Sequence, residues 1–154
     1  MRVAHKVAIA LVVIAVALLA LLLPRSGHAD QTMQFGDVVV RYSAITTDQL
    51  FADVAQRYGI ERSPRVGLVN IAVERNSGAA EAVLISAAVK GSVASLTGHG
   101  KPIRFRETHD EGAVDYLGEF PLDESGTYVF TIEVTPPGRA QAYTVRFNRD
   151  YLLD

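Results

Sequence analysis

The segment that decides the fold is Tyr128-Val-Phe-Thr-Ile-Glu-Val134, whose even-numbered positions all hold large apolar residues. Positions 131 and 133 hold Thr and Glu, which belong on the opposite side of an extended chain. A period of two residues is typical of a β-strand with one face against a hydrophobic core. The segment therefore predicts a half-buried strand.

The same period recurs along the chain, and residues that favour turns separate one run from the next. In one of these runs Arg104 and Arg106 alternate with apolar neighbours, which predicts them on the solvent side. The fold class that follows is mostly β: an immunoglobulin-like antiparallel β-sandwich of about seven strands, with one amphipathic helix packed on it. The predicted strands cover residues 38–43, 67–74, 82–89, 103–106, 114–120, 128–134 and 143–147.

The approach to the deciding strand also predicts topology. Asp123-Glu-Ser-Gly-Thr-Tyr128 resembles the entry to the tyrosine corner of immunoglobulin-like domains. In that motif the Tyr hydroxyl bonds to the backbone a few residues upstream and fixes a crossover between the two sheets. We therefore expect the Tyr128 hydroxyl to bond back to this turn.

One segment breaks the period of two. Thr46-Thr-Asp-Gln49 has the spacing of a capping box, and Leu50, Val54 and Tyr58 then recur at helical spacing. Gly59 stands where a left-handed residue would end the helix. The pattern predicts a three-turn amphipathic helix between Thr46 and Gly59.

The following strand predicts where that helix lies. Residues 66–73 are apolar on both faces except at Asn70, as expected of a strand covered on both sides. We expect the helix to pack near Leu68 and Ala72. Asn70 would then be buried and hydrogen-bonded, in a structural role tying helix to sheet or, as the alternative, in contact with a ligand.

The N-terminus has the pattern of a Sec-type signal peptide, residues 1–29. Basic residues precede an unbroken apolar run over residues 7–23, which Pro24 then ends. Gly27 and Ala29 are the small residues that signal peptidase requires, so cleavage is expected between Ala29 and Asp30. The alternative is an uncleaved anchor, because the apolar run reaches the lower limit of a membrane span. The predicted location is the periplasm.

The remaining residues, 30–154, have the length of a single domain. Three of the 15 basic residues lie in the leader, so 12 basic and 17 acidic residues remain, a net charge of −5. Such a charge argues against nucleic acid as a partner and gives no polybasic membrane patch. The chain has no Cys, so no disulfide stabilises it.

The residues show no constellation for catalysis and no cofactor motif, so we predict no catalytic residue, metal or cofactor. His99 lies in a glycine turn, and His109 with Glu107, Asp110 and Glu111 lacks the alternating ligands of a calcium loop. Binding is the remaining possibility. Arg62 and Arg65, between helix and strand, are candidates for gripping a carboxylate or phosphate, and Asn70 is the third candidate binding residue.

Several stretches, in the same order, resemble a family of proteobacterial periplasmic proteins, domain of unknown function 4426. The resemblance implies a signal peptide and one secreted domain and brings no activity, cofactor or functional residue. The stretches are Gln34-Phe-Gly-Asp37, Arg41-Tyr-Ser-Ala44, Tyr58-Gly-Ile-Glu-Arg-Ser63, Gly67-Leu-Val-Asn-Ile-Ala-Val73, Tyr116-Leu-Gly-Glu-Phe-Pro121 and Val145-Arg-Phe-Asn-Arg-Asp-Tyr151.

The leading hypothesis is therefore a non-enzymatic binding or interaction module of the periplasm, with an unknown protein or small ligand as partner. The first alternative is a protein that binds a small anionic ligand, or an enzyme, with a site built from loops. The second is a periplasmic domain tethered to the inner membrane by an uncleaved leader.

Overall fold

Strand β8 (Gly126–Thr135) lies at the centre of the core, as its alternating pattern predicts. The computed structural model describes residues 31–76, 78, 82–110 and 112–153. In it Phe130, Ile132 and Val134 are fully buried. The ring of Phe130 stacks on that of Phe147 with 4.7 Å between centroids and meets the ring of Phe120 edge-on at 5.1 Å. The contact between Phe130 and Phe120 joins the two layers of the molecule.

The described residues form nine strands, one α-helix and one 3₁₀ turn. All strand pairs are antiparallel. The 3₁₀ turn is Thr47–Gln49 and the helix is α1 (Ala52–Tyr58). The other strands are β1 (Gln31–Phe35), β2 (Val38–Thr46), β3 (Val66–Arg75), β4 (Val83–Leu84), β5 (Ala88–Ser95), β6 (Lys101–Asp110), β7 (Ala113–Pro121) and β9 (Tyr143–Tyr151).

The strands follow one another in the order β1-β2-β3-β7-β6-β5-β8-β9, with β4 paired to β3. Strand β6 pairs with β7 along most of its length and with β5 only at residues 101–103, so the sheet folds over there into two layers. Without β1 and β4, the first layer reads β2-β3-β7-β6 and the second β5-β8-β9. That order is the one found in seven-stranded immunoglobulin sandwiches.

The predicted fold class, a mostly β sandwich with one helix, is confirmed. The structure has nine strands rather than about seven, and the strand predicted over 82–89 is two separate strands. Val83 pairs with Arg75 in the first layer, whereas Ala88 pairs with Thr135 in the second. The chain crosses between the layers at 85–87, and a continuous apolar stretch does not reveal such a crossing.

The tyrosine corner forms as predicted. The Tyr128 hydroxyl donates to the Glu124 carbonyl at 3.0 Å and accepts the N–H groups of Asp123 and Glu124 at 3.2 and 3.3 Å. The ring is buried. The hydroxyl therefore fixes the turn from β7 into β8.

The predicted three-turn helix is wrong in its first half. Thr46 is extended and makes no capping bond, and Leu50 and Phe51 are also extended, so α1 has only about two turns. The reason is Thr47, whose fully buried hydroxyl accepts the Ser63 N–H at 2.8 Å and lies 2.8 Å from the Glu61 carbonyl. These bonds hold Thr47 beside the loop that follows α1. The helix ends where the sequence predicts it, because Gly59 has a left-handed backbone conformation and its N–H donates to the Gln56 carbonyl.

Helix α1 covers the outer face of the first layer, as predicted. Ile60, Leu68 and Leu117 form a buried cluster there, with Leu50 and Tyr58 packed against it. The predicted contact at Leu68 is confirmed. Ala72 lies outside this cluster, because α1 is too short to reach along β3 that far.

The predicted leader, with its cleavage site between Ala29 and Asp30, lies outside the described residues. Within the described ranges, no helix combines the length and the apolar character that crossing a membrane requires.

Gly67 on β3 makes room for the aromatic core. It lies opposite Phe120 of β7, and a Cβ atom at this position would collide with the Phe120 ring. That ring also packs edge-on against Tyr151, with 6.0 Å between centroids. The core therefore needs a residue without a side chain at position 67.

We expect Gly67→Ala to lower the free energy of unfolding by about 1–3 kcal/mol, because Phe120 must move in a packed interior. Urea unfolding measures the change. Gly100→Ala is the matched control, since a Cβ there has no neighbour within 4 Å and Gly100 has no positive φ. Equal unfolding midpoints for the two variants would contradict this account of the core.

Candidate functional site

A groove crosses the outer face of the first layer between α1 and β4, and we call it the helix groove. Its floor consists of Ser43 on β2, Asn70 on β3 and Asp115 on β7, which are shared by two adjoining cavities. The cavity beneath α1 has a volume of about 180 Å³, and the one toward β4 about 200 Å³. Three neighbouring strands thus contribute one polar side chain each.

The two cavities differ in the character of their walls. The one toward β4 is bordered by the ion pair of Arg41 with Glu74 and by Leu84. The one beneath α1, which we call the apolar chamber, also contains Tyr58 and Thr108. The apolar side chains that line it are Ile45, Leu50, Val54, Ile60, Leu68 and Leu117.

The pairing register places the floor residues side by side. Ser43 lies directly opposite Asn70, which in turn lies opposite Leu117. Asp115 stands two residues from Leu117 on the same face of β7, and so is a diagonal neighbour of Asn70. The arrangement follows from backbone hydrogen bonding and therefore holds the three side chains at fixed relative positions.

Asn70 does not tie the helix to the sheet as expected. Its Oδ1 atom is buried and has no hydrogen-bond partner among the residues that the structure describes. A buried carbonyl oxygen without a partner costs free energy comparable to a lost hydrogen bond. An unpartnered acceptor on the floor of a cavity is available to a ligand that donates a hydrogen bond.

Asp115 carries the charge of the floor. It forms no ion pair with any residue of the described ranges. The backbone carbonyl oxygen of Asp115 accepts a hydrogen bond from the Thr108 hydroxyl at 3.2 Å. This bond joins β6 to β7 beneath the groove. The carboxylate is therefore a negative group at the groove that no cation of the described chain neutralises.

Helix α1 is clamped to the sheet by Asp110 at the end of β6. One oxygen of its carboxylate accepts both Arg57 and the Tyr58 hydroxyl, each at 3.0 Å. The bonds from Arg57 and then Tyr58 lower the pKa of Asp110 below its ordinary value. Burial, followed by the bond to Asp110, raises the pKa of Tyr58. The clamp fixes the outer wall of the groove.

The candidate binding residues do not meet in one place. Asn70 lies in the helix groove, whereas Arg62 donates from Nη2 to the Asp48 carbonyl at 2.6 Å. Arg65 lines a separate cavity of about 400 Å³ near the C-terminus, together with Arg149, and we call it the arginine cavity. Asp48 and Asp150 line it as well, so both signs of charge are present.

The two histidines within the described ranges, His99 and His109, lie near opposite ends of β6. His109, near the end of β6, lies 2.7 Å from Glu107, whose pKa is lowered chiefly because the Tyr116 hydroxyl donates to it at 2.8 Å. His99 precedes the start of β6, so most of the length of this strand separates the two histidines. In the part of the chain that the structure describes, no three His, Cys, Asp or Glu residues are grouped as metal ligands.

Comparison with known proteins identifies the family. The profile of Domain of unknown function 4426 (DUF4426) matches residues 32–154. The chain belongs to the DUF4426 family. Its fold resembles the crystal structure of a DUF4426 family protein from Pseudomonas aeruginosa PAO1, with a TM-score of 0.68 and 35% sequence identity over 81% of this chain and 96% of that one.

The fold of this chain also resembles that of FetP from uropathogenic Escherichia coli strain F11. A copper-bound FetP variant gives a TM-score of 0.59 at 13% identity, covering 80% of this chain and 95% of the other. FetP expressed recombinantly in the periplasm gives 0.58 at 14%, covering 80% and 94%. At these identities the likeness shows the fold alone. No curated protein matches this chain.

Two residues are a partial signal of the helix groove in the sequence. Asn70 stands out as the one polar residue of an apolar strand, and Leu117 is apolar on a face that also carries Asp115 and Glu119. Both observations mark a covered outer face. The register that brings Ser43 and Asp115 to Asn70 depends on pairing between distant strands, which no local pattern contains.

The clamp at Asp110 predicts a pH dependence of the helix groove. The pKa of Asp110 is lower in the folded protein than its value of about 3.9 in an unfolded chain. The clamp is therefore at full strength above about pH 4 and is lost as the pH falls through the lower folded value. NMR cross-peaks between α1 and the sheet should weaken over that acidic range.

Asp110→Ala should weaken the same cross-peaks at neutral pH and lower the free energy of unfolding only slightly, because the Arg57 pair is exposed. Asp123→Ala is the control, since it breaks a comparable exposed pair with Lys101 elsewhere. Helix contacts that stay unchanged in Asp110→Ala would disprove the clamp.

Proposed function

We propose that this DUF4426 domain is an exported, non-enzymatic binding module that holds a small ligand in the helix groove. The observation that carries the proposal is the apolar chamber of about 180 Å³ opening onto a floor with an unpartnered buried acceptor, Asn70 Oδ1. Ligand sites in proteins typically combine apolar walls with a few convergent polar groups. The groove has both parts.

The size of the apolar chamber sets the size of the ligand's apolar part. An engineered cavity of about 150 Å³ with apolar walls binds benzene in another protein. The chamber is of similar volume. We infer that it accepts a benzene-sized group, and that the adjoining cavity accepts a polar head.

The chemistry of the groove favours binding over catalysis. The lining residues that carry a hydroxyl are Tyr42, Ser43, Tyr58 and Thr108, and no imidazole lines either cavity. Activation of a hydroxyl nucleophile ordinarily requires an adjacent base such as His. His99 and His109 stand at opposite ends of β6, which argues against an enzyme whose loops bring both together.

The copper bound by the FetP variant is not carried over to this protein. The described residues offer no group of three His, Cys, Asp or Glu that could hold a metal ion, and the residues of the apolar chamber are mainly apolar. Copper prefers imidazole and sulfur ligands. The ligand chemistry of the groove is that of an organic molecule.

A small anionic ligand in the arginine cavity is the second candidate. It is supported by the side chains of Arg65 and Arg149, for which no ion pair exists among the described residues. Asp48 and Asp150 line the same cavity and would repel an anion. The helix groove is therefore the better supported site.

Binding in the helix groove can be tested with 2-phenylethanol, a neutral probe with a benzene-sized body. In an NMR titration we expect the largest shifts at Leu68, Leu117 and Val54. Val54→Glu should reduce the affinity at least tenfold, because a charge would then face the apolar chamber. Ala52→Glu places the same charge on the exposed side of α1 and should leave the affinity unchanged. Equal affinities in the two variants would rule out this site.

Export is supported by the leader pattern of residues 1–29. The likeness to FetP, which has been produced in a periplasm, is consistent with the same location. N-terminal sequencing of the protein from a periplasmic fraction should begin at Asp30. A chain that begins before Pro24 and stays in the membrane fraction would instead favour the tethered form.

A further inference from the structure

The helix groove has an uneven balance of charge. Three arginines lie at or near the groove, and none of them forms an ion pair with Asp115. Arg41 Nε pairs with Glu74 at 3.0 Å, Arg57 with Asp110 at 3.0 Å, and Arg106 Nη2 donates to the Tyr58 carbonyl at 2.6 Å. Glu74 and Asp110 each have an arginine at ion-pair distance, whereas Asp115 has none among the described residues. The one charge on the floor itself is therefore the negative charge of Asp115.

The floor is also rich in acceptors. The Asp115 carboxylate only accepts, Asn70 Oδ1 is an unpartnered acceptor, and the Ser43 hydroxyl oxygen has lone pairs as well. The three come from adjacent strands whose register brings them together. An ammonium group has three donors and no acceptor, so it complements this set.

We propose that the ligand of the helix groove is an amine: a benzene-sized apolar body in the apolar chamber, with an ammonium group bound by Asp115, Asn70 and Ser43. This inference rests on the proposed function and narrows its ligand to one chemical class. The ammonium group neutralises Asp115 and satisfies the Asn70 acceptor at the same time. Charge-assisted hydrogen bonds of this kind are stronger than neutral ones.

Other head groups fit the floor less well. A carboxylate or phosphate would lie against Asp115, and Arg41, the arginine that lines the groove, already pairs with Glu74. A neutral hydroxyl can donate only one hydrogen bond and leaves the charge of Asp115 unpaired. A bare calcium ion needs six to eight oxygen ligands, and the apolar walls supply none.

Three probes that share a phenyl body test the proposal: phenethylamine, 2-phenylethanol and phenylacetate. Affinities are measured by NMR titration of the purified protein at pH 7, where the amine is protonated. We expect phenethylamine to bind at least tenfold more tightly than 2-phenylethanol, from the typical strength of a charged hydrogen bond. Phenylacetate should show no binding in the groove.

Asp115→Asn is the decisive variant, since it keeps the shape of the side chain and removes its charge. It should abolish the preference for the amine and leave the affinity for 2-phenylethanol within about twofold. Glu119→Gln is the matched control, because Glu119 is an exposed acid on the same strand that lines neither cavity. Ser43→Ala, a second variant, should weaken both neutral and charged probes.

The outcomes separate the two proposals. If 2-phenylethanol binds in the groove but the amine binds no better, or if Asp115→Asn keeps the preference, the amine assignment is wrong and the binding module stands. Phenylacetate binding in the groove overturns the assignment in the same way. If 2-phenylethanol does not bind in the groove, or binds equally well to the Val54→Glu variant, the proposed function itself is wrong.

Discussion

The position of β3 is the constraint on which the rest of the structure depends. It lies between β2 and β7, so both of its edges are used in pairing, and both of its faces are apolar. Val69 and Ile71 point into the aromatic core, whereas Leu68 faces outward. A sandwich core covers only one face. Leu68 must therefore be covered from outside the sandwich, and α1, in the segment that connects β2 to β3, packs over it.

The cover is held at both ends by polar contacts. The Thr47 hydroxyl ties the start of this segment to the loop at Ser63, and the Asp110 carboxylate holds the end of α1. Because α1 has only seven residues, it covers Leu68 but not the strand beyond it. The boundary between covered and open surface falls at Asn70. The helix groove thus results from a cover that is shorter than the face it protects.

The sequence was sufficient wherever local pattern decides structure. Alternation along 128–134 identified the core strand, the Gly-Thr-Tyr entry identified the tyrosine corner, and Gly59 identified the end of the helix. It failed where tertiary contacts override local preference. Thr47 is drawn to Ser63 instead of starting a helix, and residues 85–87 switch layers within an apolar run. For the site, Asn70 was visible as an exception, but Ser43 and Asp115 join it only through long-range register.

The strand order also bears on how quickly the chain folds. Neighbours in the sheet come from distant parts of the sequence: Val66 lies opposite Pro121, and Ser95 lies opposite Tyr128. Such non-local pairing makes folding slow, because the chain must lose the entropy of closing large loops before the stabilising contacts form. Under the proposed export, slow folding is an advantage. A chain that folds slowly stays unfolded, and so able to pass through an export channel, until it has crossed the membrane. The core can then form on the far side.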